Sequence, residues 1–416
     1  MLMLHSDSNF HYEAIRSISL ARYAGADISE QLAILENIKP GDFEDWYREW
    51  HNLALRVLST IDESKLESYS PVTLRDVYFR ASHYFFVADF FLHGNQSDPR
   101  SDQAFNLWDK YYRKANDCLP IPGVYIDVPT KNGYDLPCIF YRAPQASSSN
   151  PRPTLLLGGG FDSNKEELMH VCGFAGLDRG YNVVLYEGPG QPSFLHNGKR
   201  IGWRHDWEAV VNPLMDYIEA ESKDKLGYID TKKIGLFGYS LGGYLAARAA
   251  AFEPRLAAVI LIDGVWSFEE TIVKGFPDTT EAFQNNDAKA FGASWEKTNE
   301  KSVTNQRWIH DHCNFSFCVS DGAGLFDELR KMNIANGVAE KIKMSALVGS
   351  AAHDIFFIGQ PEKVAQAIGS NATLVPFDDT QAAGAHCQSG ASTYLNQRVM
   401  EWFGEVVHDE EKTKRS

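Results

Sequence analysis

No run of apolar residues in this chain approaches the roughly 20 that a membrane-spanning helix needs. The most apolar stretch, Leu256 to Ile262, has the length of a buried strand. The first residues, Met1-Leu2-Met3-Leu4-His5-Ser6-Asp7-Ser8, have no basic cluster and no sustained apolar core, so no secretory leader is expected. Positive charge is the minority: 40 Lys and Arg against 55 Asp and Glu give a net charge of −15, which works against a nucleic-acid partner. Cysteine is sparse and unpatterned. The six residues Cys118, Cys138, Cys172, Cys313, Cys318 and Cys387 show no pairing rhythm, which fits reduced thiols and a cytoplasmic setting. His310, His312, Cys313 and Cys318 lie close together, but a second CxxC pair and an HExxH frame are both missing, so no metal is expected. Neither GxGxxG nor a Walker lysine is found, and no cofactor is expected. There is no internal repeat.

What is present suits a folded protein. A hydrophobic fraction of 44 % and a charged fraction of 23 % exclude disorder on the scale of the chain, and 416 residues require additions to a single core. Up to about residue 118 apolar residues recur at helical spacing. Phe43, Trp46, Trp50, Leu53, Ala54 and Val57 form one such face, with Asp42 as its N-cap behind Pro40-Gly41. After Pro120 short apolar runs alternate with helical patterns. They begin with a hairpin through Lys131-Asn132-Gly133 and continue at Thr154–Leu157, Asn182–Leu185, Lys233–Phe237, Ala257–Ile262, Met344–Val348 and Thr373–Pro376. This predicts an α/β fold whose mostly parallel sheet is covered by helices on both faces. The expected divisions are an N-terminal helical domain over 1–118, an α/β core over 119–263 and 341–408, a helical cap insertion over 264–340, and a charged tail over 409–416.

The strongest motif is Gly238-Tyr239-Ser240-Leu241-Gly242-Gly243, set between the strand Ile234-Gly235-Leu236-Phe237 and a helical run from Tyr244 to Ala250. A serine at such a strand–turn–helix bend is a nucleophile elbow: the turn lifts the hydroxyl clear of the sheet, and glycines are needed where a side chain would strike neighbouring backbone. The N–H of Leu241 at the helix start would face a developing oxyanion. Serine needs a base to take its proton. In this arrangement an acid and then a histidine follow along the chain. Asp354 stands just beyond the strand Ser345–Gly349, with Asp263, Asp378 and Asp379 as rivals, and His386 sits on a loop after the next strand, with His353 as rival. The second oxyanion donor is expected on the glycine loop Gly158-Gly159-Gly160-Phe161-Asp162-Ser163, at the N–H of Phe161 or alternatively Gly160. Glu187, in Glu187-Gly188-Pro189-Gly190, reads as part of a rigid turn.

These motifs, with Lys39-Pro40-Gly41-Asp42-Phe43-Glu44-Asp45-Trp46, Asn164-Lys165-Glu166-Glu167, His353-Asp354-Ile355-Phe356-Phe357 and Gly384-Ala385-His386-Cys387-Gln388, span nearly the whole sequence. Together they resemble the α/β-hydrolases that carry an N-terminal helical domain, a group that includes bacterial 2,6-dihydropseudooxynicotine hydrolase and fungal hydrolases of fusarin- and cytochalasan-type pathways. The resemblance implies the α/β-hydrolase fold and a Ser240–Asp354–His386 triad. It implies cleavage of a carbonyl-adjacent C–C bond, or of an ester or amide bond, in a polyketide or polyketide–peptide metabolite. The alternative it leaves is a cyclase closing a lactam or aldol-type ring with the same groups. Glu269 or Glu270 is the nearest counterpart of an extra acid that assists C–C cleavage in the bacterial relative. Asp162, Trp266 and Glu269 are the expected substrate contacts, and the helical domain offers a face for a homodimer.

Overall fold

The structure, a computed structural model, describes residues 3–413, with side chains over 3–408. Every element up to Asp117 is helical. The five α-helices here, Ser8–Ile18, Ile28–Leu35, Phe43–Leu58, Pro71–Asp89 and Pro99–Asp117, each start behind a side-chain cap: Asp7, Asp27, Asp42, Ser70 and Asp98 accept bonds from first-turn N–H groups. Those caps satisfy donors that a helix start leaves without partners. Trp46 and Trp50, one turn apart on the third helix, are fully buried and hold the bundle together.

Eight strands then build one sheet: β1 (Val124–Pro129), β2 (Asp135–Tyr141), β3 (Arg152–Gly158), β4 (Asn182–Tyr186), β5 (Ile229–Tyr239), β6 (Ala258–Ile262), β7 (Ser345–Ala351) and β8 (Ala372–Phe377). Their order is β1-β2-β4-β3-β5-β6-β7-β8. The β1–β2 hairpin and the β2–β4 pair are antiparallel, and the other neighbours are parallel. β4 and β6 are buried at every residue, as strands covered on both faces must be, which explains their unbroken apolar runs. The predicted mostly parallel α/β sheet is the one found.

Between β6 and β7 the chain forms only helices, among them Phe268–Gly275, Ala288–Trp295, Thr304–Ser316 and Gly322–Lys331. They have an apolar cluster of their own in which Phe291 packs against Phe283, Trp295 and Phe326. The final helix runs Ser392–Thr413. Residues 409–413, expected as tail, therefore continue the helical backbone, and 414–416 lie outside the described residues. No helix among the described residues is long and apolar enough to cross a membrane. The parallel pairing brings the carboxyl ends of β3, β5, β6, β7 and β8 to one edge, where α/β proteins place their ligand crevices.

Candidate active site

Ser240 occupies the bend between β5 and the helix Gly242–Ala250, at φ 60°, a left-handed conformation that a non-glycine residue adopts only when its surroundings enforce it. The enforcement is visible: the Ser240 N–H donates to the Ile262 carbonyl on β6, and the Gly243 N–H to the Ser240 carbonyl at 2.8 Å. A Cβ on Gly238 would stand 2.0 Å from the Gly242 oxygen, so only glycine lets the chain fold back this tightly.

The bend points Ser240 Oγ at His386, 2.9 Å from Nε2. His386 sits on the loop after β8, its ring wedged between Phe356 and Phe357 at centroid distances of 5.0 and 5.5 Å. Its Nδ1 lies 2.7 Å from Asp354 Oδ2 and 3.1 Å from Asp263 Oδ2. Asp354 is the anionic neighbour, so Nδ1 carries a proton toward it and in the neutral ring Nε2 is left to accept one. Asp354 follows β7, and its other oxygen accepts the N–H groups of Phe356 and Phe357 at 2.6 and 2.7 Å. Asp263 ends β6, accepting from the Cys387 N–H at 3.2 Å and from Gln388 Nε2 at 3.3 Å.

Two acids and one imidazole in a closed space divide the charge unequally. Burial and the charge of Asp354 push Asp263 up to about 7. Burial also works against Asp354, but the charge and hydrogen bond of His386 outweigh it and hold that carboxyl below its ordinary range. Burial likewise opposes the His386 charge, and the field of Asp354 overrides it, lifting the imidazole well above its usual value. Asp354 is thus the permanent anion, and Asp263 a carboxyl that keeps its proton to near neutrality.

The glycine loop closes the other side. A Cβ on Gly160 would fall 2.5 Å from the Tyr239 oxygen and 2.8 Å from the Leu241 nitrogen, so the loop lies directly against the elbow. The N–H groups of Phe161 and Leu241 have no acceptor among the described residues. Above Ser240 is a narrow cavity of about 30 Å³, room for about two waters. Its walls are largely aromatic: Phe161, Phe268, Trp308, Phe356 and Phe357.

Two wall residues come from the first helix. Tyr12 lies beside the His386 ring, and its hydroxyl is 3.1 Å from Ser389 Oγ. Arg16, one turn on, binds Glu167 through two bonds of 2.7 and 2.6 Å and reaches Asp162 at 3.2 Å and Glu13 at 3.3 Å. Burial pushes Glu13 up to about 8 despite the arginine, so this cluster approaches one cation between two anions. No motif in the sequence marks Tyr12 or Arg16 as a wall residue.

The structure brings Ser240, Asp354, His386, Leu241, Phe161 and Asp162 together, and places Trp266 and Glu269 outside that group. The helix Phe268–Gly275 turns Phe268, Thr271 and Ile272 to the cavity, which rotates Glu269 toward Arg330 at 3.4 Å and Glu270 toward Lys363 at 2.7 Å. Trp266 precedes that helix, its N–H donating to Gln360 Oε1 at 2.8 Å. Among the rivals, His353 pairs with Asp379 at 2.9 Å on the exposed surface, and Asp378 caps Thr380. Glu187 accepts the N–H groups of Lys165 and Ser193 at 2.8 and 2.9 Å, a brace for its turn. The potential metal ligands that converge among the described residues are Asp263, His386 and Cys387. The Asp263 and His386 atoms are already spent on the bonds above, and burial pushes the Cys387 thiol up to about 12, far from a metal-binding thiolate.

A model of the prolyl oligopeptidase family matches residues 170–306, the span that holds the elbow. Hydrolase ORFZ of Pyricularia oryzae is 32 % identical over 367 residues, 84 % of this chain and 84 % of its own. The chain belongs to the α/β-hydrolase family. Its hydrolase relatives include the 20-hydroxy-prefusarin hydrolase FUS2 of Gibberella moniliformis, 28 % identical over 412 residues, or 95 % of each chain. The crystal structure of 2,6-dihydroxy-pseudo-oxynicotine hydrolase superposes on this α/β hydrolase with a TM-score of 0.66 at 21 % identity, covering 93 % of this chain and 95 % of that one, which is agreement in fold.

Proposed function

We propose that this α/β hydrolase acts through Ser240 as nucleophile on a carbonyl of a small polyketide-derived metabolite. The observation that carries this is the continuous row Ser240 Oγ, His386 Nε2, His386 Nδ1, Asp354 Oδ2, with steps of 2.9 and 2.7 Å, at the base of an apolar cavity. His386 takes the serine proton as Oγ attacks, and Asp354 stabilises the imidazolium. The N–H groups of Leu241 and Phe161 receive the oxyanion. His386 then returns the proton to the leaving group, and a water releases the acyl group by the same route.

The walls support the substrate class. Their aromatic surface suits a reduced carbon skeleton, while the buried indole N–H of Trp308 has no partner among the described residues and is free to bind a substrate oxygen. FUS2, named for 20-hydroxy-prefusarin, supports the same class. Glu269 and Glu270 turn away from the cavity to Arg330 and Lys363, so neither stands where it could assist C–C cleavage.

A fluorophosphonate should label the protein at Ser240 and nowhere else. Turnover in heavy-oxygen water should place the label in the acid product. An unlabelled cyclic product would make the protein a cyclase, and labelling at another residue would remove the nucleophile assignment.

A further inference from the structure

Behind the glycine loop lies a row of buried acid and histidine side chains that the triad does not use. His312, on the helix Thr304–Ser316, puts Nε2 2.8 Å from the Phe161 carbonyl oxygen. Its Nδ1 is 2.7 Å from Nδ1 of His93, and His93 Nε2 is 3.0 Å from Asp89 Oδ2. All three side chains are buried, and the Phe315 ring lies flat on His93 at 4.2 Å, fixing its plane. Beyond Asp89, His196 approaches at 3.9 Å and binds the half-exposed Asp102 at 3.1 Å, and Asp162 is the other charged group near His312.

Counting hydrogens settles who donates. A carbonyl only accepts, so His312 Nε2 bears a proton. Burial and the charge of His93 push His312 down to about 3, so it is neutral and its Nδ1 must accept. His93 Nδ1 is then the donor. On the far side, burial works against the Asp89 charge, but His93 and His196 outweigh it and keep Asp89 an anion that accepts. The row is complete when His93 gives Nε2 to Asp89 and Nδ1 to His312.

The loop needs such support. Gly158, Gly159 and Gly160 impose little conformational restraint on the residue that follows them. Gly160 is wedged against the elbow on one side, and the Phe161 carbonyl is gripped by His312 on the other. The Phe161 N–H lies in the peptide between these two anchors, whose Gly160 carbonyl also accepts from Gln191 Nε2 at 3.4 Å.

We propose that Asp89, His93 and His312 form a brace that holds the Phe161 carbonyl and thereby aims the Phe161 N–H at the oxyanion. None of the three lines the cavity, so they are positioning residues, and this role rests on the serine-hydrolase reading above. The brace also joins three parts of the chain at one carbonyl: the N-terminal helices, the helices between β6 and β7, and the sheet loop.

Two measurements on the full-length protein test it. With nitrogen-15 histidine, NMR at neutral pH should show His312 protonated at Nε2 alone, with assignments from His93→Gln and His312→Gln. His312 protonated at Nδ1 instead would overturn the proposal, whatever the protein hydrolyses. The rate of fluorophosphonate labelling at Ser240 should fall roughly tenfold or more in His312→Leu, which cannot bind the carbonyl. It should recover to within a few-fold in His312→Gln, whose amide N–H can. Equal rates in wild type and both variants would also overturn it, and if His312→Leu fails to fold the NMR result decides. No labelling of wild type at Ser240 would instead sink the serine-hydrolase reading.

Discussion

Replacing Gly160 with alanine should stall the chemistry while leaving the fold standing. The added Cβ would meet the Tyr239 oxygen at 2.5 Å, the Leu241 nitrogen at 2.8 Å and the Ser240 Cβ at 2.9 Å, whereas ordinary contact begins near 3.4 Å. Two of these atoms are backbone at the elbow and cannot rotate aside. The glycine loop must back away by about 0.5 to 0.9 Å, an overpacking that costs about 1–3 kcal/mol. That is less than the roughly 5–15 kcal/mol that keeps a domain folded. The Phe161 N–H moves with the loop, and losing one oxyanion donor lowers kcat by about a hundredfold or more. Because the interaction forms only in the transition state, kcat and kcat/KM should fall together with KM nearly constant. The assay is turnover of an aryl ester beside the labelling rate of Ser240, with circular dichroism and Tm as folding controls. Gly275→Ala, where nothing lies within 4 Å of the new methyl, should change neither. Turnover by Gly160→Ala at the wild-type rate would refute the argument and move the second donor off this loop.

Asp354→Asn keeps the shape but offers His386 an amide in place of an anion, so kcat should fall by about 10⁴ while labelling, if slow, remains at Ser240. Asp263→Asn should act through pH. The reaction requires neutral His386 Nε2, and above about pH 7 the ionised Asp263 opposes that loss of charge, so the variant's activity should rise at lower pH than wild type. The same variant tests stability. The folded Asp263 holds its proton up to about 7, above the ordinary carboxylate value, so wild-type stability falls as pH rises from about 4 to 7 and levels off beyond. Tm scans should show that slope reduced in Asp263→Asn, and parallel curves would contradict the assignment. Arg16→Leu leaves Glu167 and Asp162 buried without their cation, which should cost about 3–5 kcal/mol in urea unfolding. Arg16→Lys should recover only part, since a lysine cannot make the paired bonds to Glu167.

The parts of this molecule that could be read from sequence are those whose physics is local. The unbroken apolar runs of β4 and β6 announce strands covered on both faces, and the glycines around Ser240 announce a bend that tolerates no side chain. Asp42 marks a helix start because a cap acts within three residues. The short helix Ile28–Leu35 escaped notice, since eight residues give too few turns for a periodic pattern to stand out. Trp266 and Glu269 stand away from the cavity for a geometric reason: the phase of the helix Phe268–Gly275 decides which side chains face it, and that phase is set by packing against the rest of the fold. Asp263 was visible only as a competitor of Asp354, because chain order cannot reveal that both carboxyl groups reach the same imidazole nitrogen. Tyr12 meets His386, and His93 meets His312, across 374 and 219 residues of chain, and no local pattern encodes such meetings.

The distribution of labour in the site follows from that difference. The groups expected to react stand on loops at the sheet edge, where strand register fixes their mutual distances: Ser240 after β5, Asp354 after β7, His386 after β8. The surfaces a substrate would touch come mostly from helices outside the sheet, Tyr12 and Arg16 on one side and Phe268, Thr271 and Trp308 on the other. A change in a helical residue can reshape the cavity without shifting the Asp354 end of the row, because that carboxylate is held by backbone N–H groups of its own loop. The exception is Phe161, whose carbonyl is held by His312 from the helical part. Substitutions along that helix therefore reach the chemistry as well as the walls, and the oxyanion donor is where selection for a new substrate would first collide with selection for rate.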